Sequence, residues 1–376
     1  MRNLLFIWRA ALALVAGSVP ISANAQDAAQ NTPQRTENYY TTIIASGFNQ
    51  AWAHEFLPNG DILVTEREGN IKVVRDGEIL SSNVANIPQV YFAGQGGLLD
   101  IMLDDDFVNN STIYLSYAYG SAKGNAIRLV SAKLSNNDKS YQLNDIKNIF
   151  TASPLKDTPQ HYSGRIEQMP DGTLILTTGE GFDYREQAQK LDNHLGKIIR
   201  INRDGSVPSD NPFVTREGAK PEIWSYGHRN HQGLVVANGI VYQNEHGPKG
   251  GDEVNIIRSG ANYGWPVITY GRDYNGARVT PFTEYERMLQ PHIDWTPSIA
   301  PSSMTFHRGS LYVTALAEQS IRALTIDGDN IVDRGIVFPE IKGRIRDISV
   351  GPDDHLYVLT DGNQSQLIKI TETLLK

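Results

Sequence analysis

The 376-residue sequence contains no cysteine, so a disulfide framework and thiol catalysis are both closed to it. Stability has to come from a packed core and from bound ions. Basic residues are in the minority: 34 Lys and Arg face 42 Asp and Glu, a net charge of −8. That sign argues against nucleic acid and anionic lipid as partners. Beyond the N-terminal segment no window is apolar enough to span a bilayer, and no amphipathic helical period of useful length occurs. No Pro/Ser-rich linker or composition break divides the chain, which favours one large domain.

The N-terminus carries Arg2 and Arg9, an apolar run over 10–19, and then Ser22-Ala23-Asn24-Ala25, whose small residues suit cleavage before Gln26. The run is shorter than the roughly 18 apolar residues a membrane anchor needs, so 1–25 reads as an export signal and the mature protein as periplasmic or secreted, without membrane insertion. Cleavage leaves 32 basic against 42 acidic residues, a net charge of −10. Residues 26–38 are polar and aperiodic, a loose leader, and 39–376 form the folded domain.

Short strand-like runs recur behind turn residues, as in Asn59-Gly60-Asp61-Ile62-Leu63-Val64-Thr65 and Asp171-Gly172-Thr173-Leu174-Ile175-Leu176-Thr177. Copies begin also near Asn110, Ala237, Arg308 and Asp353, at a spacing of roughly 45 to 70 residues. Several continue into a hairpin partner, such as Gly69-Asn70-Ile71-Lys72-Val73-Val74. Strand pairs at blade-like spacing predict an all-β fold, a six-bladed β-propeller; an array of β-sandwiches would need linkers that are absent. In a propeller the loops at one channel end converge, so distant positions such as His161, Arg229 and Arg346 share one site.

The stretch Tyr226-Gly227-His228-Arg229-Asn230-His231-Gln232-Gly233-Leu234 is followed by Asn244-Glu245-His246-Gly247-Pro248 and Asn262-Tyr263-Gly264-Trp265-Pro266. It places a guanidinium, a carboxamide and free carbonyls on glycine-rich turns, suited to a flat, anionic, metal-bound ligand. His161, in Gln160-His161-Tyr162-Ser163-Gly164-Arg165, stands in a loop before a strand, with the near-neutral pKa that removal of a hydroxyl proton requires. Arg344 and Arg346 share a face if their segment is extended, and the glycine-rich run around Gln95 lacks the ending of a phosphate loop. Asp104-Asp105-Asp106 lacks calcium-loop spacing and reads as a solvated turn; His54, His307, His355 and Trp295 read as structural.

In this order the segments resemble the soluble glucose/sorbosone (aldose sugar) dehydrogenases, which use pyrroloquinoline quinone (PQQ), and the resemblance runs colinearly from about Phe48 to Ile370. It implies oxidation of the anomeric hydroxyl of an aldose to a lactone, with an external electron acceptor. By the same resemblance His161 is the general base, Arg229 lies at the quinone oxygen and Asn230 against the ring system. Arg344 and Arg346 hold the PQQ carboxylates, Gln95 lies near substrate and cofactor, and Tyr274 lies against the cofactor. Calcium takes the carbonyls of Gly247 and Pro248, and a second, structural calcium takes Glu253 and the backbone of Tyr263.

Two departures stand out. Ala317 occupies the place where many relatives carry a cofactor-binding lysine, a loss of roughly 1.5 to 3 kcal/mol if nothing replaces the ammonium. Gln160 stands where some relatives have an aspartate able to orient the histidine and raise its basicity. The competing readings are a calcium-dependent lactonase or related hydrolase, and a propeller that binds without catalysis.

Overall fold

A computed structural model describes residues 38–137 and 140–373; the expected export signal and nearly all of the leader lie outside the described residues. Residues Tyr39–Thr373 form one compact unit. Its strands group into six four-stranded antiparallel sheets. Five are made of consecutive strands, within 51–79, 98–151, 163–226, 231–295 and 301–337. The sixth is composite: strand Asn38–Phe48 pairs with Ser365–Thr373, the last of the three strands within 345–373. The first strands of successive blades pack against one another in a closed ring, and blade six meets blade one. This is the six-bladed propeller the strand repeats predict.

The expected turns form as their chemistry dictates. At the hairpin between His231–Ala237 and Ile240–Glu245, Asn238 and Gly239 have φ of 52° and 76°, the double left-handed geometry that closes a tight two-residue hairpin. Helix is confined, among the described residues, to the four-residue Phe107–Asn110 and a 3₁₀ turn at Arg185–Gln189. No described helix is long and apolar enough to cross a membrane.

One irregularity recurs in all six blades. Pairing between the first and second strands slips at Ala51/His54, Leu98/Ile101, Ser163/Ile166, His231/Gly233, Pro301/Ser303 and Ile345/Asp347. Each slip is a β-bulge at the start of the innermost strand, and therefore at the same end of the channel. In the first three blades a hydroxyl on the second strand faces the bulge: Thr65 reaches the Ala53 amide, Ser116 the Asp100 amide, and Thr177 the amides of Gly164 and Arg165.

The expectation that the Asp104 run is a solvated turn fails for its first residue. Asp104 is buried, accepts from Tyr114 and Asn110, and pairs with Arg203 at 3.0 Å; Asp105 and Asp106 are exposed. The turn sequence is generic, whereas the burial depends on blade three reaching across with Arg203.

Candidate active site

His161 sits just ahead of the inner strand Ser163–Gln168, in a loop whose residues His161 and Ser163 both have positive φ, 48° and 61°. Such backbone is rare for side-chain-bearing residues and concentrates at functional sites. Gln95 holds the loop: its Oε1 accepts from the His161 amide at 2.8 Å. The ring is buried, and its Nδ1 meets Oε1 of Glu180 at 2.9 Å. Gly179 permits that approach, since a Cβ there would lie 2.1 Å from the His161 carbonyl oxygen. Burial, reinforced by the positive charges of Arg229 and Lys156, holds His161 well below the usual histidine value, so the imidazole is neutral. Burial pushes Glu180 up to about 7, against the pull of Arg229. No described residue bonds Nε2, which leaves it as the basic atom once Nδ1–H is donated to Glu180.

Glu180 was missed in the sequence, where attention fell on Gln160 as the failed orienting group. The carboxylate comes instead from the loop after strand Leu174–Thr178. A charged residue between two glycines, Gly179-Glu180-Gly181, directly after a buried strand was the available signal.

Arg229 and Asn230 lie between blades three and four. The Arg229 amide donates to Glu245 at 2.6 Å, and its carbonyl accepts from the Glu180 amide at 2.9 Å, which ties it to the histidine. The guanidinium gives hydrogen bonds to the carbonyls of His246 (3.2 Å) and Gly247 (2.6 Å) and to the Tyr274 hydroxyl (3.3 Å), under the ring of Trp265. Tyr274 is largely exposed, at the rim. Arg229 Nε, Asn230 Nδ2 and Glu180 Oε2 are buried without a hydrogen-bond partner. Leaving such groups unmade is costly, so the site is built for a polar ligand.

A cavity of about 440 Å³ opens beside these residues at the bulge end of the channel. Gln95, Asn230, Arg344 and Arg346 line it, as do Trp52, Ser163 and Gln232 from the bulges. Arg344 precedes its strand and Arg346 is the extra residue of its bulge; both reach Asp361, at 2.8 and 3.3 Å. Two further lining residues were not assigned from sequence. Arg67 spans the carbonyls of Gly94 and Gly96 and brings a third guanidinium to the wall. His246, which burial lowers to about 4, bonds the Pro301 carbonyl at 2.8 Å. Ala317 is exposed and lines no part of the cavity, whereas Leu316 does.

Below the cavity Arg165 closes the channel. Its guanidinium meets Asp100 (3.2 Å) and Asp347 (3.0 Å), the carbonyls of Gln232 (2.7 Å) and Ser302 (3.1 Å), and the face of Trp52 at 4.0 Å. One side chain of blade three thus touches all five other blades. In the sequence it was only the last letter of the His161 motif.

Gly247, among the expected calcium ligands, sits where a Cβ would lie 2.2 Å from the Gly251 oxygen. Glu253 pairs across strands with Glu245; burial, then that neighbouring charge, raises it well above an ordinary carboxylate. Tyr263 stacks on His228, whose Nδ1 meets Glu245 at 2.9 Å. His228, His231 and Glu245 bring ligand atoms within 4.8 Å of one another, and Gln243 Nε2, Asn255 Oδ1 and His231 Nε2 are buried without partners in the same seam.

The profile of the Glucose / Sorbosone dehydrogenase family matches residues 48–369. Among curated proteins, the aldose sugar dehydrogenase YliI of Escherichia coli K12 is 36% identical over 343 residues, 88% of this chain and 92% of the relative. The crystal structure of the soluble apo aldose sugar dehydrogenase of Escherichia coli superimposes with a TM-score of 0.85 at 34% identity, covering 89% of this chain and all of that one. The PQQ-bound aldose sugar dehydrogenase of Streptomyces coelicolor gives 0.74 at 27% identity, with 89% and 99% covered. A match of this extent, over nearly the whole propeller, places the chain in the glucose/sorbosone dehydrogenase family of sugar-oxidising enzymes.

Proposed function

We propose that this enzyme oxidises the anomeric C1 hydroxyl of aldoses to the lactone, with PQQ in the arginine-lined cavity and His161 as general base. The observation that carries the reading is the neutral His161, with Nδ1 on Glu180 and Nε2 unbonded, beside that cavity. The residues fit the cofactor: Arg67, Arg344 and Arg346 suit a tricarboxylate, and the unpartnered Arg229 Nε and Asn230 Nδ2 await polar atoms of a ligand. The PQQ-bound Streptomyces relative supports the same assignment. When bound, PQQ supplies a quinone that accepts hydride from C1, and the electrons leave to an external acceptor. Nε2 of His161 takes the hydroxyl proton, while Glu180 keeps the proton on Nδ1 and stabilises the imidazolium. Arg229 provides a fixed positive charge next to the base, favouring the alkoxide as it forms.

Calcium at the carbonyls of Gly247 and Pro248 would act as a Lewis acid. The Gly247 carbonyl accepts from Arg229 in this structure, so the ion would take over that oxygen, and its anionic ligands would come from the cofactor. A second calcium near Glu253 and Tyr263 is supported by the Glu245–Glu253 pair and the unpartnered atoms of Gln243 and Asn255. An exported location rests on 1–25 alone. The hydrolase reading would suit a cavity ringed by carboxylates, whereas this wall carries three arginines and one aspartate.

Dye-linked oxidation of an aldose panel by mature protein, reconstituted with PQQ and calcium together and singly, tests the reading. Activity requiring both, lost in His161→Ala and removed reversibly by chelation, is expected. PQQ binding without sugar oxidation would refute it.

A further inference from the structure

Outside the residues that line the arginine cavity, against His161 and Arg229, stand two exposed aromatic rings, one of which, Tyr274, the resemblance places against the cofactor. Phe182 is 39% exposed and Tyr274 58% exposed, although each is large and apolar. They come from different blades, Phe182 from the loop after Leu174–Thr178 and Tyr274 from the loop after Asp252–Ile257, yet their rings are parallel within 22° with centroids 6.2 Å apart. An ion pair between Arg185 and Asp273, at 3.3 Å, ties the same two loops together.

Phe182 also has φ of 70°, a conformation side-chain-bearing residues rarely adopt. Nothing in the core calls for it, since the ring it presents is exposed rather than packed. The strained backbone instead sets the phenyl ring edge-to-face with the imidazole, at 5.1 Å and 79°. The edge of this pair is polar: the Tyr274 hydroxyl accepts from Arg229, and Asp183, next in sequence to Phe182, is exposed and makes no side-chain hydrogen bond to a described residue.

A flat aromatic face next to a base, rimmed by hydrogen-bonding groups, matches one kind of substrate. A pyranose ring has an apolar face of C–H bonds that carries slight positive charge and a girdle of hydroxyls, so it stacks on the electron-rich ring face while its hydroxyls take the rim. Stacking also holds the ring at a fixed height, which leaves the anomeric hydroxyl beside the imidazole. We propose that Phe182, backed by Tyr274, is the stacking platform for the sugar ring, so that the enzyme selects aldoses in the pyranose form. This rests on the sugar-oxidising reading above and adds the part of the site that holds the substrate.

Steady-state kinetics with D-glucose and D-xylose on PQQ- and calcium-loaded protein tests it, with wild type, Phe182→Ala, Phe182→Leu and Phe182→Trp side by side. PQQ binding is followed separately by absorbance, and folding by thermal melting. Phe182→Ala and Phe182→Leu should raise KM on the order of tenfold, with kcat within about threefold of wild type and PQQ binding unchanged. Phe182→Trp should keep KM near wild type. Phe182→Leu retains apolar bulk and covers the case in which the alanine variant fails to fold. A fall in kcat at constant KM would make Phe182 a residue that only positions His161 and would overturn the proposal, as would an unchanged KM in the leucine variant. Wild type that binds PQQ but oxidises no aldose would overturn the parent reading as well, and that failure shows in the wild type rather than in the variants.

Discussion

Replacing Glu180 by glutamine keeps the shape of the buried pair and removes its charge. In the wild type, Nδ1 of His161 lies 2.9 Å from the carboxylate, and both groups are almost fully buried, so this contact sets the tautomer. A glutamine can turn its NH₂ toward Nδ1, which moves the ring proton to Nε2 and blocks the base. Loss of an orienting partner costs about 10- to 100-fold, and a wrong tautomer up to about 10⁴-fold. We therefore expect Glu180→Gln to lower kcat by about 10² to 10⁴, with KM for the sugar and affinity for PQQ nearly unchanged. The pH profile gives the sharper test. Burial raises Glu180 to about 7, so below that pH the carboxyl gains a proton and donates it to Nδ1, and wild-type kcat/KM should fall on the acid side of pH 7. In Glu180→Gln the carboxyl that donates to Nδ1 is gone, and the acid limb it causes near pH 7 should vanish from the lowered profile. An acid limb that persists at the same pH in the variant, or a kcat equal to wild type, would refute the reasoning.

Arg165→Met should destabilise the fold by about 3 to 5 kcal/mol at pH 8, because it strands Asp100 and Asp347 in the closed channel. In the wild type, burial pushes Asp347 up, but Arg165 and His54 overcome it and hold the group below its ordinary value, so its contribution is lost only in acid below about pH 4. Without Arg165, Asp347 rises above its unfolded value and Asp100, which burial already raises to about 6 in the wild type, rises further, so the native variant binds more protons than the unfolded chain and should gain more stability than the wild type from pH 8 to 5 in urea titrations. A deficit independent of pH would contradict this. Asp361→Asn removes a negative charge from between Arg344 and Arg346 and should tighten PQQ binding several-fold, on the order of 1 kcal/mol for one nearby charge. Weaker binding by absorbance titration would mean that Asp361 serves mainly to hold the two arginines in place.

The architecture was legible because its signals are local: turn residues followed by four to six strand formers, repeated, with no helical period between them. The site was legible in those residues that the family resemblance marks, and Gln95, Asn230, Arg344 and Arg346 do line one cavity. What escaped the sequence depends on the ring being closed. Glu180 becomes the partner of His161 only because Gly179 lets one loop ride over another, and Arg67 reaches the cavity wall from a blade more than two hundred residues away in sequence from Ala317. Arg165 could not be read as a hub, since its five partner blades are brought around it by closure alone. Arg344 and Arg346 were expected together for their spacing, yet a bulge and a strand end, rather than simple alternation, aim them.

The repeated bulge separates two demands on the same strand. A residue that stands outside the ladder holds no place in the register, so exchanging Gln232, Ser302 or Arg346 leaves the remaining pairing of its sheet as it was. Where the bulged residue faces the cavity, as Gln232 and Arg346 do, it can be rewritten by itself, while the opposite end of each inner strand, in regular pairing, keeps the ring closed; Arg165, which binds every other blade, has no such freedom. The propeller is in this sense a mounting plate whose sockets are independent of its frame. New ligand preferences can accumulate at such positions by single substitutions that leave the register of the blade in place.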